Sequence, residues 1–223
     1  SGDWSSDVCS SDLKVLDKFE ELGEITNISE SKTKTEDLKS NIVDTEIVVI
    51  RSGTKINKDI LENANNLKII ARCGVGVDNV DVEEATNKKI YVTNSPNANI
   101  ISVAELTIGL IISAARKIHV SNNSLKDKKW DRNKFLGTEL YQKQLGLVGF
   151  GKAAKEVAKR LSAFGMNIVF YDPYVDSSTI EAKKVDLDEL LKTSDVISIH
   201  VVKTEETTNL INNEKLNLIK KGG

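Results

Sequence analysis

The stretch LGLVGFGKAAKEVAKRLSAFGMNIVFYDPY, residues 145–174, restricts the possible folds of this chain more than any other. An apolar run ends at Gly149. Gly151 and Ala154 follow at G-x-G-x-x-A spacing, then a helix-forming segment, then a second apolar run closed by Asp172, 23 residues after Gly149. Strand, turn, helix and strand in so short a span make a βαβ unit, and two strands joined by a helical crossover lie parallel. Each residue of the turn has a physical task. Gly149 permits the tight bend, Gly151 lets the main chain approach a pyrophosphate, and Ala154 is an accepted third residue of the pattern. The helix N-terminus turns N–H groups and a partial positive charge toward that anion. Asp172 is an acceptor suited to two ribose hydroxyls and would repel a 2′-phosphate, which favours NAD over NADP. Lys152 stands where it can serve a diphosphate or the solvent.

The same βα rhythm runs through the rest of the chain. Helical spacing is read in KVLDKFEEL (14–22), KTEDLKSNI (34–42), NKDILENA (57–64, with Asn57 as N-cap) and DVEEATNKK (81–89). Short strands are read in EITNI (24–28), EIVVI (46–50), LKIIAR (67–72) and IYVTN (90–94). This alternation predicts an α/β fold with parallel sheets and helices on both faces. NSPNANIIS punctuates the chain and sets a domain boundary at about residue 95. A long apolar helix follows, with Ser102 and Glu105 as the capping box at its start. Val103, Leu106, Leu110, Ile111, Ala114 and Ile118 share one face of it, a stripe for core or domain-interface packing. LKDKKWDRNKFLGTEL (125–140) reads as a loop with short helical pieces. Beyond residues 144–172, VDLDELLKT (185–193) reads as a helix, DVISIHV (195–201) as a strand and NNEKLNLIKK as the start of a last helix. The first thirteen residues, SGDWSSDVCSSDL, show no sustained period and read as a disordered or foreign leader.

A chain of 223 residues has room for one large or two small domains. With a net charge of −2 it offers no basic face for nucleic acid. Cys9 and Cys73 have no neighbouring cysteine, so neither a disulfide framework nor a zinc site is expected, and a reducing cytoplasm fits. ISVAELTIGLIISAARKI is interrupted by Glu105 and Arg116, so no membrane span is expected, and no signal peptide is evident.

ARCGVGVDNVDVEEAT, SVAELTIGLIISAAR, KWDRNKFLGTEL and residues 145–174 together resemble the NAD-dependent D-2-hydroxyacid dehydrogenases, most closely the members that oxidise a phosphorylated glycerate. The resemblance runs from about Lys14 to Gly223. It implies a flavodoxin-like substrate domain, represented in part by residues 14–95, and a Rossmann-type NAD-binding domain, represented in part by residues 96–223. It also implies assembly as a homodimer or homotetramer.

By position, the resemblance places Gly74, Val75 and Gly76 in the loop whose N–H groups grip the substrate carboxylate; glycines and a nest of N–H donors suit that anion. Arg51, Arg72 and Arg132 match positions facing the substrate phosphate, where a planar fork pairs bidentately with phosphate oxygens. Around the cofactor, Gly149, Gly151, Lys152, Ala153, Asp172, Val75 and Val201 match contacts. Val201 stands where a Thr is common, which removes a hydroxyl there.

The implied reaction is NAD-linked oxidation of 3-phospho-D-glycerate to 3-phosphooxypyruvate, a step of serine biosynthesis. In the family the hydroxyl proton is taken by a His oriented by a Glu, and an Arg polarises the substrate. Those positions are expected beyond Gly223, so no catalytic residue is assigned, and the chain is expected to be an inactive, poorly stable fragment truncated at both ends. His119 and His200 are given structural roles. Two alternatives stay open: an NAD-binding regulatory or corepressor-like module without catalysis, and a dehydrogenase of the glyoxylate, hydroxypyruvate or lactate type.

Overall fold

The computed structural model describes residues 4–6, 18, 20, 21, 23–26 and 35–220. They form two compact units, Ser1–Asn99 and Ile100–Gly223. The division falls at Ile100, where the long helix begins, a few residues beyond the Pro96 turn.

In the first unit, β1 (Trp4–Ser6), β2 (Ile47–Ile50), β3 (Ile69–Arg72) and β4 (Tyr91–Asn94) form a sheet in that order, every pair parallel. Helix α1 (Thr35–Asn41) precedes β2, α2 (Lys58–Glu62) joins β2 to β3, and α3 (Val82–Asn87) joins β3 to β4. β2 is the run IVVI, with Val48, Val49 and Ile50 buried, as a strand covered on both faces requires. Against it lie Leu38 and Ile42 from the α1 region, Ile60 and Leu61 of α2, and Ala85 of α3. Each fully buried Ile or Leu contributes about 1.5–3 kcal/mol. The ends of the helices are fixed locally. Asn57 caps α2, its side chain accepting from Ile60 N–H at 3.1 Å. Asp81 caps α3 through Glu84 N–H at 3.0 Å.

Two expectations change in this unit. The leader is not wholly apart from the fold, because Trp4–Ser6 pairs with Ile47–Val49. A parallel ladder uses only backbone groups, so a polar run fills a sheet edge without an apolar pattern of its own. No strand forms at Glu24–Thr26; Asn27 and Ile28 lie outside the described residues. Lys18 and Glu20 are helical, as read, and most of residues 14–22 lies outside the description.

In the second unit, β5 (Gln144–Val148), β6 (Asn167–Tyr171), β7 (Lys183–Lys184) and β8 (Val196–Ile199) form a parallel sheet in the order β7-β6-β5-β8. Strand order reverses at β5, so a crevice opens between the carboxyl ends of β5 and β8. The long helix α4 (Ile100–Ala115) and α6 (Lys152–Ser162) cover one face, packing Ala104, Ala154, Val157 and Leu161 against Leu145 and Phe170. α7 (Leu187–Thr193) covers the other with Leu187, Leu190 and Leu191. α5 (Ile118–Lys126), a 3₁₀ turn (Arg132–Phe135) and α8 (Asn213–Leu216) complete the unit.

Two expectations for the long helix are corrected. α4 starts at Ile100, so Ser102 lies inside its first turn rather than at its cap. The face turned to the core is Ala104, Ile108, Ile111, Ile112 and Ala115, whereas Leu106 and Leu110 are 65% and 62% exposed. A helix apolar nearly all round carries two candidate stripes, and periodicity alone does not choose between them. α5 and β7 were not legible, the first because its composition is polar and the second because it spans two lysines. Among the described residues, no helix is long and apolar enough to cross a membrane.

Candidate functional site

The glycine loop of the second unit is built as its spacing requires. Gly149 has φ +87°, a conformation that L side chains rarely adopt, and its N–H donates to the Tyr171 carbonyl at 2.8 Å. A Cβ there would stand 2.9 Å from the His200 carbonyl carbon and 3.0 Å from Val201 Cγ1. Gly149 therefore touches the chain just after β8, and Val201 lies against the loop. A Cβ on Gly151 would meet nothing within 4 Å, so open space lies beside this backbone. Gly151 is the N-cap of α6 and supplies no side-chain hydrogen bond to the helix end. Lys152 and Ala153 form the first turn that follows. An uncapped helix N-terminus beside open space fits a diphosphate, which the aligned N–H groups would hold. Ala154 is fully buried against the sheet, where a larger side chain would push α6 away.

Asp172 does more than wait for a ribose. Its Oδ2 accepts from Phe150 N–H and its Oδ1 from Tyr174 N–H, each at 2.8 Å. The carboxylate thus fixes the glycine loop to the turn after β6. Each oxygen keeps a second lone-pair direction, which leaves it able to accept from a diol.

His200 is tied to structure. Its N–H donates to the Val148 carbonyl at 2.7 Å, and its Nε2 lies 2.9 Å from Ser198 Oγ. Burial holds its pKa below the ordinary histidine value. His119 is exposed on α5.

In the first unit the sheet register aligns Ile50, Arg72 and Asn94 at the carboxyl edge. Arg51 follows Ile50 and is exposed. Arg72 folds its guanidinium over Gly74: a Cβ on that glycine would lie 1.5 Å from Nη1. Arg72 Nε is buried without a hydrogen-bond partner, an orphan donor at this edge. The turn at Gly74, Val75 and Gly76 is held to β4, with Ser95 N–H on the Gly74 carbonyl at 2.9 Å and Asn94 Nδ2 on the Val75 carbonyl at 2.7 Å. Two arginines and a glycine-rich turn thus lie at one end of a parallel sheet, the end at which open α/β sheets take ligands, and their donors suit an anion. Arg132 begins the 3₁₀ turn of the second unit and is exposed.

Residues 108–223 match the family described as D-isomer specific 2-hydroxyacid dehydrogenase, NAD binding domain. The chain belongs to this family. Over 213 residues it is 48% identical to D-3-phosphoglycerate dehydrogenase of Methanocaldococcus jannaschii, an alignment covering 94% of this chain and 40% of that protein. It is 45% identical to hydroxypyruvate reductase of Thermotoga maritima, covering 87% of this chain and 64% of the relative. It thus spans between two fifths and two thirds of the length of these relatives. Among solved structures, D-lactate dehydrogenase from Aquifex aeolicus complexed with NAD and lactic acid superposes with a TM-score of 0.86 at 27% identity. That match covers 98% of this chain and 66% of the other.

Sequence reasoning missed Asn79 of the first unit. Its Nδ2 donates to the carbonyls of Arg51, at 2.9 Å, and Thr54, at 2.6 Å, so it ties the loop after β2 to the glycine turn. The available signal was a polar residue directly before the buried Val80, where an amide needs partners.

Proposed function

We propose that this chain carries the nucleotide site and part of the substrate site of an NAD-dependent dehydrogenase that oxidises 3-phospho-D-glycerate to 3-phosphooxypyruvate in serine biosynthesis. In this reading the first unit handles the substrate and the second the cofactor. The observation that carries it is that Arg51, Arg72 and the Gly74–Val75–Gly76 turn converge on one end of the sheet. Arginine forks suit a phosphate, and the turn suits a carboxylate. Gly149, Gly151, Lys152, Ala153, Asp172 and Val201, all in the second unit, hold the NAD. NAD held there would supply the hydride acceptor for oxidation at the hydroxyl-bearing carbon. The residues of this chain position both anions, and no general base is assigned among the described residues.

Titration calorimetry with NAD present tests this. 3-Phosphoglycerate is expected to bind, and D-lactate and glyoxylate to bind far more weakly. Arg72→Ala is expected to weaken phosphoglycerate about tenfold to hundredfold, the worth of a charged hydrogen bond or two. Equal affinity for all three acids would instead favour a substrate of the hydroxypyruvate or lactate type. NADH formation followed at 340 nm separates catalysis from binding alone.

The exposed Leu106 and Leu110 of α4 support assembly as a homodimer or homotetramer. Light scattering is expected to give an oligomer for the chain and a monomer for Leu110→Glu. The exposed free thiol of Cys73 suits a reducing cytoplasm.

A further inference from the structure

The turn after β6 and the loop after β8 are tied to each other. Asp172 accepts from Tyr174 N–H, and the Tyr174 hydroxyl in turn donates to Glu206 Oε2 at 2.8 Å. The loop that carries Glu206 is locked from within. Thr204 N–H donates to Thr207 Oγ1 at 2.8 Å, and Thr207 N–H to Thr204 Oγ1 at 3.2 Å. The Thr207 hydroxyl donates to the Val202 carbonyl at 2.6 Å, and that of Thr208 to the Thr204 carbonyl at 2.6 Å. Both partners of the Tyr174–Glu206 bond therefore sit on restrained backbone.

Topology decides where this bond runs. β5 lies between β6 and β8, so a link between the ends of the outer two crosses the end of β5, where the glycine loop begins. Adjacent strands stand about 4.8 Å apart, so β6 and β8 are about 10 Å apart, a gap that a tyrosine and a glutamate span end to end. Tyr174 is 80% exposed and adds nothing to the core. The hydrogen bond to Glu206 raises its phenol above the ordinary value.

We propose that Tyr174 and Glu206 form a brace across the mouth of the nucleotide crevice and act as positioning residues that slow exchange of a bound dinucleotide. This rests on the reading of the glycine loop as an NAD site. The adenosine half lies between the brace and the loop and leaves only when the Tyr174–Glu206 bond opens. Nicotinamide mononucleotide lacks that half and is indifferent to the brace.

Stopped-flow displacement of NADH from the chain and from Tyr174→Phe and Glu206→Ala tests the brace. NADH binding by the unaltered chain checks the nucleotide reading first, and its absence would overturn both. With binding present, both variants are expected to release NADH about threefold to tenfold faster, the net worth of one exposed hydrogen bond. Melting temperature and affinity for nicotinamide mononucleotide should stay unchanged. A release rate within twofold of the unaltered chain in either folded variant would overturn the brace. So would an equal change for the mononucleotide.

Discussion

At the scale of single residues, Gly149 and Asp172 shape the proposed nucleotide site, and they should fail differently. Gly149→Ala combines a positive φ with a Cβ pressed on the backbone of β8. It is expected to destabilise the chain by about 1–3 kcal/mol in urea denaturation and to abolish NAD binding at millimolar concentration. Asp172→Asn leaves the size unchanged but turns an amide NH₂ toward one of two N–H donors. The expected result is a loss of NAD affinity of about tenfold or more, with NADP affected less. His200 gives a pH signature. Burial depresses its folded pKa, so the unfolded chain binds the proton more readily. The stability contributed by neutral His200 is full above about pH 6.5 and is lost as pH falls through that value toward the lower folded pKa. Denaturation midpoints between pH 7.5 and 5 are expected to fall, and His200→Gln to flatten that slope. Gly149, Gly151 and Asp172 were legible because their spacing reports a local turn. The second duty of Asp172, tethering Phe150 and Tyr174, was not, since nothing in the spacing says which backbone groups need an acceptor.

At the scale of elements, apolar runs identified six of the eight strands among the described residues, since a strand covered by helices on both faces has no polar alternation to confuse it. What escaped was set by tertiary context: β1 and β7 are short edge strands, and the buried side of α4 is chosen by α6 and β5 rather than by its own pattern. The β5–α7 contact makes the point quantitatively. A Cβ on Gly146 would stand 2.4 Å from the buried Ser194 Oγ and 2.5 Å from Leu190 Cδ2. Gly146→Ala is therefore expected to cost about 1–3 kcal/mol of stability through overpacking, read as a lower urea midpoint at constant slope. The same substitution at Gly109 of α4, where a Cβ meets nothing, should stabilise the helix by up to about 1 kcal/mol.

At the scale of the whole molecule, the two units have separate cores and separate sheets, and the glycine loop belongs to only one of them. Scanning calorimetry is expected to show two transitions. NAD at about one hundred times its dissociation constant should raise only that of Ile100–Gly223, by about 2.7 kcal/mol. A single transition that moves as a whole would show the units melting as one. The parallel ladders also set a timetable. No hairpin closes among these strands: β1 waits for Ile47, and β5, with Tyr171 already beside it, waits for Val196. Distant pairings form slowly, because the chain between them must be ordered before any contact is gained. The crevice at the ends of β5 and β8 therefore forms only after Val196–Ile199 has been made and has paired with β5. During synthesis a nucleotide cannot guide the folding of this unit; it can only select molecules that have already finished.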